Sequence, residues 1–231
     1  MRLSDTDATG RLRLDAVARY LQDAATDDVE ETSWGAPEHL WVLRSVRIDV
    51  FSPCLEDREV EILTWGSGLS ALAASRRWSL AGDRGGSIEV DSTWVHLDRD
   101  ARPARIGSGF EDYAEAAQGR RSSTRLTLPD PPRVSTRVPW PLRVTDVDLM
   151  GHVNNAAYWN AVEHCLRRRP PDLRKAVRAR LDYRHPLDLG EHVELALHED
   201  DGLVVGFVAS GVVKAVARVE ELRASAGPGA R

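Results

Sequence analysis

The chain of 231 residues lacks the marks of a membrane, secreted or metal-binding protein. No segment approaches the roughly 18 consecutive apolar residues of a membrane helix, and residues 1–7 lack the apolar stretch of a signal peptide. Its two cysteines, Cys54 and Cys165, form neither a metal-type spacing nor a disulfide framework. A net charge of −5 argues against general nucleic-acid binding. We therefore expect a cytoplasmic protein that needs no metal or cofactor and binds neither nucleic acid nor a membrane.

An internal repeat organises what the sequence does contain. Residues 4–10 (Ser-Asp-Thr-Asp-Ala-Thr-Gly) match residues 145–151 (Thr-Asp-Val-Asp-Leu-Met-Gly) at an offset of 141 residues. Residues 47–53 then match residues 180–186 at an offset of 133, and both of these segments begin with Arg and end with Pro. Two segments that repeat in the same order predict two copies of one structural unit.

Each copy has the pattern of one helix followed by several strands. The apolar residues with helical spacing are Leu14, Val17, Ala18, Leu21 and Ala25 in the first copy, and Tyr158, Ala161, Val162, Cys165 and Leu166 in the second. Segments with strand character follow at 46–50, 59–65, 69–80 and 87–97, and again at 177–183, 193–198, 203–210 and 212–220. This order predicts an α+β fold in which a curved antiparallel sheet buries the helix on one face.

The two copies set the expected domain boundaries. An N-terminal unit is predicted at 1–107 and a C-terminal unit at 138–223. Between them, residues 108–137 are rich in proline, which removes backbone donors and disfavours helix, so we expect a linker on the surface. Residues 224–231 are rich in Gly, Ala and Ser and are expected to form a flexible tail.

The stretch 145–159 is the candidate functional site. It places acids, a histidine and two amides directly before the second helix: Asp146, Asp148, His152, Asn154 and Asn155. Either asparagine is suited to cap the helix, and Gly151 permits a tight turn before it. Backbone N–H groups and the positive end of the helix dipole meet at such a start, which suits a developing negative charge.

These residues carry a resemblance to a known family. The motif Asp-x-Asp-x-x-Gly-His-Val-Asn-Asn-x-x-Tyr at 146–158 resembles that of the hotdog-fold thioesterases. The tandem arrangement, with Tyr-Leu-Gln-Asp-Ala-Ala at 20–25 and Ser-Thr-Trp-Val at 92–95, resembles the acyl-ACP (acyl carrier protein) thioesterases of plants and bacteria. The resemblance implies a double hotdog, that is, two tandem repeats that each wrap a curved antiparallel sheet around a long helix.

The same resemblance implies a reaction and a division of labour. The expected reaction is hydrolysis of a fatty acyl thioester, acyl-ACP to free fatty acid plus carrier protein, without a cofactor. The C-terminal unit would carry the chemistry and the N-terminal unit would shape the acyl pocket. A homodimer of such chains is a further expectation. Hydrolysis of acyl-CoA and a non-catalytic acyl-binding function remain open as alternatives.

The resemblance also assigns roles to residues. Asp148 is expected to act as general base or nucleophile, and His152 to orient water or protonate the leaving thiolate. The side chain of Asn154 is expected to bind the thioester or pantetheine, and the backbone N–H of Asn155 to donate to the oxyanion. The structural alternatives are a turn-capping role for Asp148, satisfaction of buried polar groups by His152, and helix capping by the two asparagines.

The sequence departs from the family pattern in two places and is unequal between its copies. Met150 occupies the Asn position of the plant motif Asp-x-Asn-x-His. Pro186 and Leu187 occupy the positions where the plant enzymes have an acidic residue and a cysteine, so the plant mechanism cannot be transferred whole. In the first copy, His152, Asn154 and Asn155 are replaced by Arg11, Arg13 and Leu14.

A basic segment follows the second helix. Seven of the fourteen residues at 167–180 are Arg or Lys. The functional interpretation is a docking surface for an acidic carrier protein or the phosphates of CoA, formed by Arg167, Arg168, Arg174, Lys175 and Arg178. The alternative is an ordinary solvated surface. On the helix itself, Cys165 is expected in the core, and Glu163 and His164 are expected to face solvent or an interface between the two units.

Overall fold

The computed structural model describes residues 1–30, 40–167, 169 and 171–222. Within these residues there are three α-helices: α1 (Leu14–Glu30), α2 (Glu111–Ala116) and α3 (Asn155–Leu166). The strands there are β1 (Leu40–Ser52), β2 (Val60–Leu69), β3 (Ala73–Gly82), β4 (Ser87–Leu97), β5 (Thr136–Trp140), β6 (Val177–Tyr183), β7 (Val193–Glu199), β8 (Gly202–Ala209) and β9 (Val212–Glu221). None of the described helices is long and apolar enough to cross a membrane.

All nine strands belong to one antiparallel sheet, which confirms the predicted α+β class. The strand order is β2-β3-β4-β1-β6-β9-β8-β7-β5. Apart from the edge strand β5, this order is symmetric about the contact between β1 and β6: reading outward gives β4, β3 and β2 on one side and β9, β8 and β7 on the other. At that contact Arg47 pairs directly with Arg180, two residues that the sequence comparison had aligned.

The core lies between the sheet and the two long helices. All five apolar residues of the predicted stripe of α3 are buried, and Trp159 next to them has no exposed surface. Helix α3 is therefore buried on more faces than its stripe predicted, because it packs against both the sheet and α1. On the sheet side, Leu181 and Ala179 of β6 and Ile48 of β1 are fully buried against it.

The linker runs over the face of the sheet that points away from the helices. Leu181 and Tyr183 of β6 face the core, so Asp182 between them faces the opposite side. Its carboxylate accepts hydrogen bonds from the backbone N–H groups of Thr127 and Leu128, both at 2.8 Å. The linker is thus fixed to the outer face of the sheet and leaves the helix side free.

Two details differ from the sequence-based expectations, and a third expectation is not tested. β5 lies partly within the segment predicted as linker, and it pairs with β7 at the sheet edge, where Pro139 is tolerated because an edge strand needs only half of its hydrogen bonds. The segment predicted as one strand at 69–80 is divided by a turn in which the Ser70 N–H donates to the Ala73 carbonyl. The tail predicted at 224–231 lies outside the described residues.

Candidate active site

A short 3-10 turn, Val144–Asp146, holds the beginning of the candidate site in place. Asp146 is buried, and its carboxylate accepts hydrogen bonds from the backbone and the side chain of Arg143. Its carbonyl oxygen accepts from the Asn154 N–H at 2.7 Å. Both the carboxylate and the carbonyl oxygen of Asp146 are therefore engaged within the turn, as expected of a residue that stabilises it.

Asp148 stands in a tight turn that leads to α3. Its Oδ1 accepts from the Met150 N–H at 2.9 Å, and its Oδ2 lies 3.4 Å from the side-chain nitrogen of Asn154. Gly151 has φ +80°, a conformation that favours glycine, and its N–H donates to the Asp148 carbonyl. The side chain of Met150 is exposed, so this residue contributes to the turn through its backbone, where the plant motif has an asparagine.

The start of α3 presents one free donor. Asn154 is the N-cap residue, and its Oδ1 accepts from the Ala156 N–H at 2.8 Å. The carbonyl oxygen of Asn155 accepts from the hydroxyl of Tyr183 at 3.0 Å, which ties the first residue of the helix to β6. Among the residues that the structure describes, the Asn155 N–H has no hydrogen-bond acceptor. This N–H is therefore available at the positive end of the helix.

His152 is held by a carboxylate that the sequence comparison missed. Its Nδ1 lies 2.6 Å from Asp188 Oδ1, and the two residues also form a backbone bridge. With Nδ1 bound to a carboxylate, the neutral ring carries its hydrogen on Nδ1 and leaves Nε2 as a proton acceptor. Comparison with the plant motif had placed Pro186 and Leu187 at the positions of its acidic residue and its cysteine. The acid stands one residue further on, and no local pattern separates it from an ordinary loop aspartate.

The loop that carries Asp188 is itself anchored. The Asp188 N–H donates to Glu191 Oε2 at 2.9 Å, and Lys214 of β9 lies 2.9 Å from the other oxygen of Glu191. Burial acts to raise the pKa of Glu191, but the hydrogen bond from Asp188 and the charge of Lys214 outweigh it and hold that pKa below its usual value. Lys214 also donates to the Pro186 carbonyl. These contacts fix the backbone that presents Asp188 to the histidine.

The matching turn in the first copy is closed by an ion pair. Arg11, at the position of His152, is buried, and it binds both carboxylate oxygens of Glu163 from α3 at 3.1 and 2.7 Å. Glu163 Oε1 also accepts from the N–H of Leu14, the first residue of α1, at 2.7 Å. The N–H that corresponds to the free donor of Asn155 is thus occupied. Glu163 lies at the interface of the two units, one of the two locations expected for it.

Asp7, the counterpart of Asp148, is also engaged differently. Its Oδ1 accepts from the backbone and hydroxyl of Thr9, and its Oδ2 lies 3.0 Å from Arg11 Nε. Burial acts to raise the pKa of Asp7, but these hydrogen bonds and the arginine charge hold it below its usual value. A carboxylate bound to a buried arginine is a poor base, which sets this turn apart from the second one.

The predicted docking residues do not form one surface. Arg167 and Arg174 line an open cleft of about 950 Å³ beside the end of α3. Lys175 pairs with Glu221, and Arg178 lies on the outer face of the sheet, where it binds both oxygens of Asp49. Arg168 lies outside the described residues.

The remaining candidates have structural explanations. Cys165 is buried in the core, and burial raises the pKa of its thiol to about 11, which argues against a nucleophilic thiolate. His164 is exposed. Within the described part of the chain, no group of three or more His, Cys, Asp or Glu side chains is placed to hold a metal ion.

A large antiparallel sheet over few helices, with a histidine and carboxylates at a helix start, defines a thioesterase-like fold. Residues 1–112 match the model of the acyl-ACP thioesterase N-terminal domain, and residues 130–218 match that of the C-terminal domain. The chain belongs to the acyl-ACP thioesterase family, whose members are thioester hydrolases. The predicted family and enzyme class are thereby confirmed.

The chain is also similar to individual proteins over almost its whole length. An uncharacterized protein of Mycobacterium tuberculosis is 31% identical over 222 residues, which cover 95% of this chain and 88% of the relative. The 12:0-ACP thioesterase of Umbellularia californica has a TM-score of 0.76 at 16% identity, covering 95% of this chain and 94% of that one. An acyl-ACP thioesterase of Bacteroides thetaiotaomicron has a TM-score of 0.74 at 17% identity, covering 95% and 93%. At these identities the two structures establish the fold alone.

Proposed function

We propose that the chain hydrolyses fatty acyl thioesters of the acyl carrier protein at the start of α3. The observation that carries this proposal is the contrast between two helix starts. The Asn155 N–H has no acceptor among the described residues, whereas the corresponding Leu14 N–H is occupied by Glu163. An oxyanion needs a free, oriented donor, so the second copy is suited to the reaction and the first is not.

The residues around this donor suggest a sequence of steps. Asp148 removes a proton from water, and the water oxygen attacks the thioester carbonyl carbon. The carbonyl oxygen becomes an oxyanion that accepts from the Asn155 N–H. When the intermediate collapses, the carbon–sulfur bond breaks, and the proton that Asp148 took from water passes through Nε2 of His152, oriented by Asp188, to the leaving thiolate, which returns both side chains to their starting states. The products are a fatty acid and the free thiol. Direct attack by Asp148 on the carbonyl is the alternative first step.

Asn154 connects the carboxylate to the helix. Its Oδ1 caps α3, and its side-chain nitrogen points at Asp148 Oδ2 from 3.4 Å. The role proposed for it is therefore to hold Asp148 beside the oxyanion donor, in addition to contacting the thioester or pantetheine.

The proposed architecture is a double hotdog with an N-terminal unit at 1–107, a linker at 108–137 and a C-terminal unit at 138–223. The strand order, which is symmetric apart from the edge strand β5, and the direct pairing of Arg47 with Arg180 support two repeats related by an approximate twofold axis. The two turns support it as well, because the Arg13 N–H donates to the Asp5 carbonyl just as the Asn154 N–H donates to the Asp146 carbonyl. A cytoplasmic location and a homodimer of such chains stay predictions.

An apolar cavity in the N-terminal half supports its role in holding the acyl chain. The cavity measures about 100 Å³, and it is lined by Ala25, Trp41, Ala74, Arg76, Trp94, Phe110 and Tyr113. Its aromatic side chains are Trp41 of β1, Trp94 of β4, Tyr113 of α2 and Phe110 directly before α2. The volume is below the roughly 300–1,000 Å³ of ordinary ligand pockets, so the cavity suits one part of a hydrocarbon tail. For carrier docking, Arg167 and Arg174 remain candidates because they line the cleft at the end of α3.

The test of the proposal is release of free thiol from a long-chain acyl-ACP and the matching acyl-CoA. Wild-type protein is expected to turn over the carrier substrate, and Asp148→Asn is expected to lower kcat by at least about 100-fold, since base catalysis contributes 10²–10⁴-fold. Asp7→Asn, the matched change in the first copy, is the control and should keep kcat. A preference for acyl-CoA would favour the alternative substrate, and full activity of Asp148→Asn would contradict its role.

A further inference from the structure

The contact between Glu163 and the start of α1 indicates the relative direction of the two long helices. Leu14 is the first residue of α1, and Glu163 is eight residues beyond Asn155, the first residue of α3. Because α3 ends three residues after Glu163, α1 can pack along it only by running in the opposite direction. Eight residues correspond to about 12 Å of helix. The start of α3 therefore lies beside the residue eight positions into α1, which is Gln22.

The faces that the two helices turn toward the core also identify Gln22. At the repeat offset of 141, Leu21 corresponds to Val162, and both are buried in the core. Gln22 corresponds to Glu163, and both residues are half-buried. Since the two helices present matching positions to the core, Gln22 is directed toward the start of α3 as Glu163 is directed toward the start of α1.

The two positions differ in chemistry. A carboxylate only accepts hydrogen bonds, and Glu163 accepts from the Leu14 N–H. A carboxamide is neutral and carries two N–H donors. Within the part of the chain that the structure describes, neither the Gln22 carboxamide nor the Asn155 N–H makes a hydrogen bond. Two unpaired donors therefore belong to the same small region.

We propose that Gln22 is a further catalytic residue, whose Nε2–H donates to the thioester carbonyl oxygen together with the Asn155 N–H. This inference rests on the proposed function of the α3 site. Two donors from different halves of the chain then hold the oxygen as its negative charge develops. Removal of one oxyanion donor in an enzyme typically lowers kcat by 10²–10³-fold. A carboxylate at this position would instead occupy the Asn155 N–H and repel the developing charge.

The first experiment compares Gln22→Met with wild type on acyl-ACP. Methionine keeps the length and helix preference of glutamine but has no N–H donor. We expect kcat to fall by about 10²–10³-fold with little change in KM, because the lost interaction is strongest in the transition state. Asp23→Asn, a change at the exposed neighbouring residue, is the control and should match wild type. Wild-type kcat in Gln22→Met overturns the proposal.

A second variant tests the sign of the electrostatic effect. Gln22→Glu reproduces the arrangement seen at Glu163, with a carboxylate facing a helix start. We expect its kcat to be lower than that of Gln22→Met, because the carboxylate both takes the Asn155 N–H and opposes the oxyanion. A kcat equal to or above that of Gln22→Met contradicts a donor role for this position.

Two unreactive ligands separate this inference from the proposed function. One is an acyl-pantetheine in which a methylene replaces sulfur, so that the carbonyl is kept as a ketone; the other is a thioether without a carbonyl. Calorimetry should show that Gln22→Met binds the ketone about 10-fold more weakly than wild type does, the usual effect of one hydrogen bond, and binds the thioether equally well. Equal losses for both ligands overturn the donor role. If wild type hydrolyses acyl-ACP and Gln22→Met matches it, only the role of Gln22 is wrong; if wild type is inactive, the proposed function fails.

Discussion

Glu163→Gln is expected to destabilise the fold without impairing turnover by the molecules that remain folded. The side chains of Glu163 and Arg11 are 11% and 6% exposed, and they form two hydrogen bonds with each other. Removing one charge of a buried pair typically costs about 3–5 kcal/mol, because the other charge is left without its partner. Asp7 remains 3.0 Å from Arg11, so a value near the lower end, about 3 kcal/mol, is expected.

Urea unfolding followed by tryptophan fluorescence measures this loss. For a chain of this size we take an m-value of about 3 kcal/mol per molar urea, so the unfolding midpoint should fall by about 1 M. The double variant Arg11→Met with Glu163→Gln removes both charges and leaves an oxygen to accept from the Leu14 N–H. Its midpoint should recover to within about 0.5 M of wild type, because replacing a whole buried pair is often nearly neutral.

Turnover of acyl-ACP is measured under conditions where each variant is folded. We expect kcat of Glu163→Gln to stay within about twofold of wild type, since Glu163 belongs to the closed helix start and not to the proposed active site. A variant with an unchanged unfolding midpoint and a large loss of kcat would refute this reasoning. Such a result would place the chemistry at the start of α1.

Two further predictions concern the active site and its approach. Asp188→Asn should lower kcat on an alkyl thioester by roughly 10- to 100-fold, because His152 loses the partner that fixes its tautomer. An aryl thioester, whose leaving thiolate needs no proton, should be affected less, and Asp188→Glu should restore part of the activity; equal losses on both esters would indicate a purely structural role. Arg167→Glu with Arg174→Glu should raise KM for acyl-ACP several-fold and spare a short soluble thioester; equal effects on both substrates would argue against carrier docking there.

Most of the fold was predictable because its signals are local. The alternation and β-branched residues of β6 and β9 placed these strands within one or two residues of their observed bounds. The beginning of β5 was assigned to the linker, since Pro139 and the prolines at 129–132 resemble a linker. Only pairing with β7 at the sheet edge makes this segment a strand, and pairing over such a distance in the chain leaves no local pattern.

In the candidate site, too, the local contacts were predictable and the contacts between distant parts of the chain were not. The turn around Asp148 and the cap formed by Asn154 follow from motif spacing, because their contacts lie within a few residues of one another. The partner of His152 could not be predicted, since Asp188 is 36 residues away and a backbone bridge between the two residues brings its carboxylate to the ring. The contact of Glu163 with Arg11 could not be predicted either, because it joins residues 152 positions apart and forms only where α1 packs on α3.

The two helix starts differ at two corresponding positions, where the start of α1 has Arg11 and Glu163 and the corresponding residues of the repeat are His152 and Gln22. At the start of α1, the carboxylate of Glu163 requires the buried cation of Arg11, and together they occupy the N–H that an oxyanion would need. In the repeat, Gln22 stands at the position of Glu163 and His152 at the position of Arg11, so the proposed site at the start of α3 has no counterpart of this ion pair. Replacing only Arg11 or only Glu163 leaves one charge of this buried pair without its partner. We therefore expect that a change that frees the Leu14 N–H without destabilising the fold must replace both Arg11 and Glu163 at once.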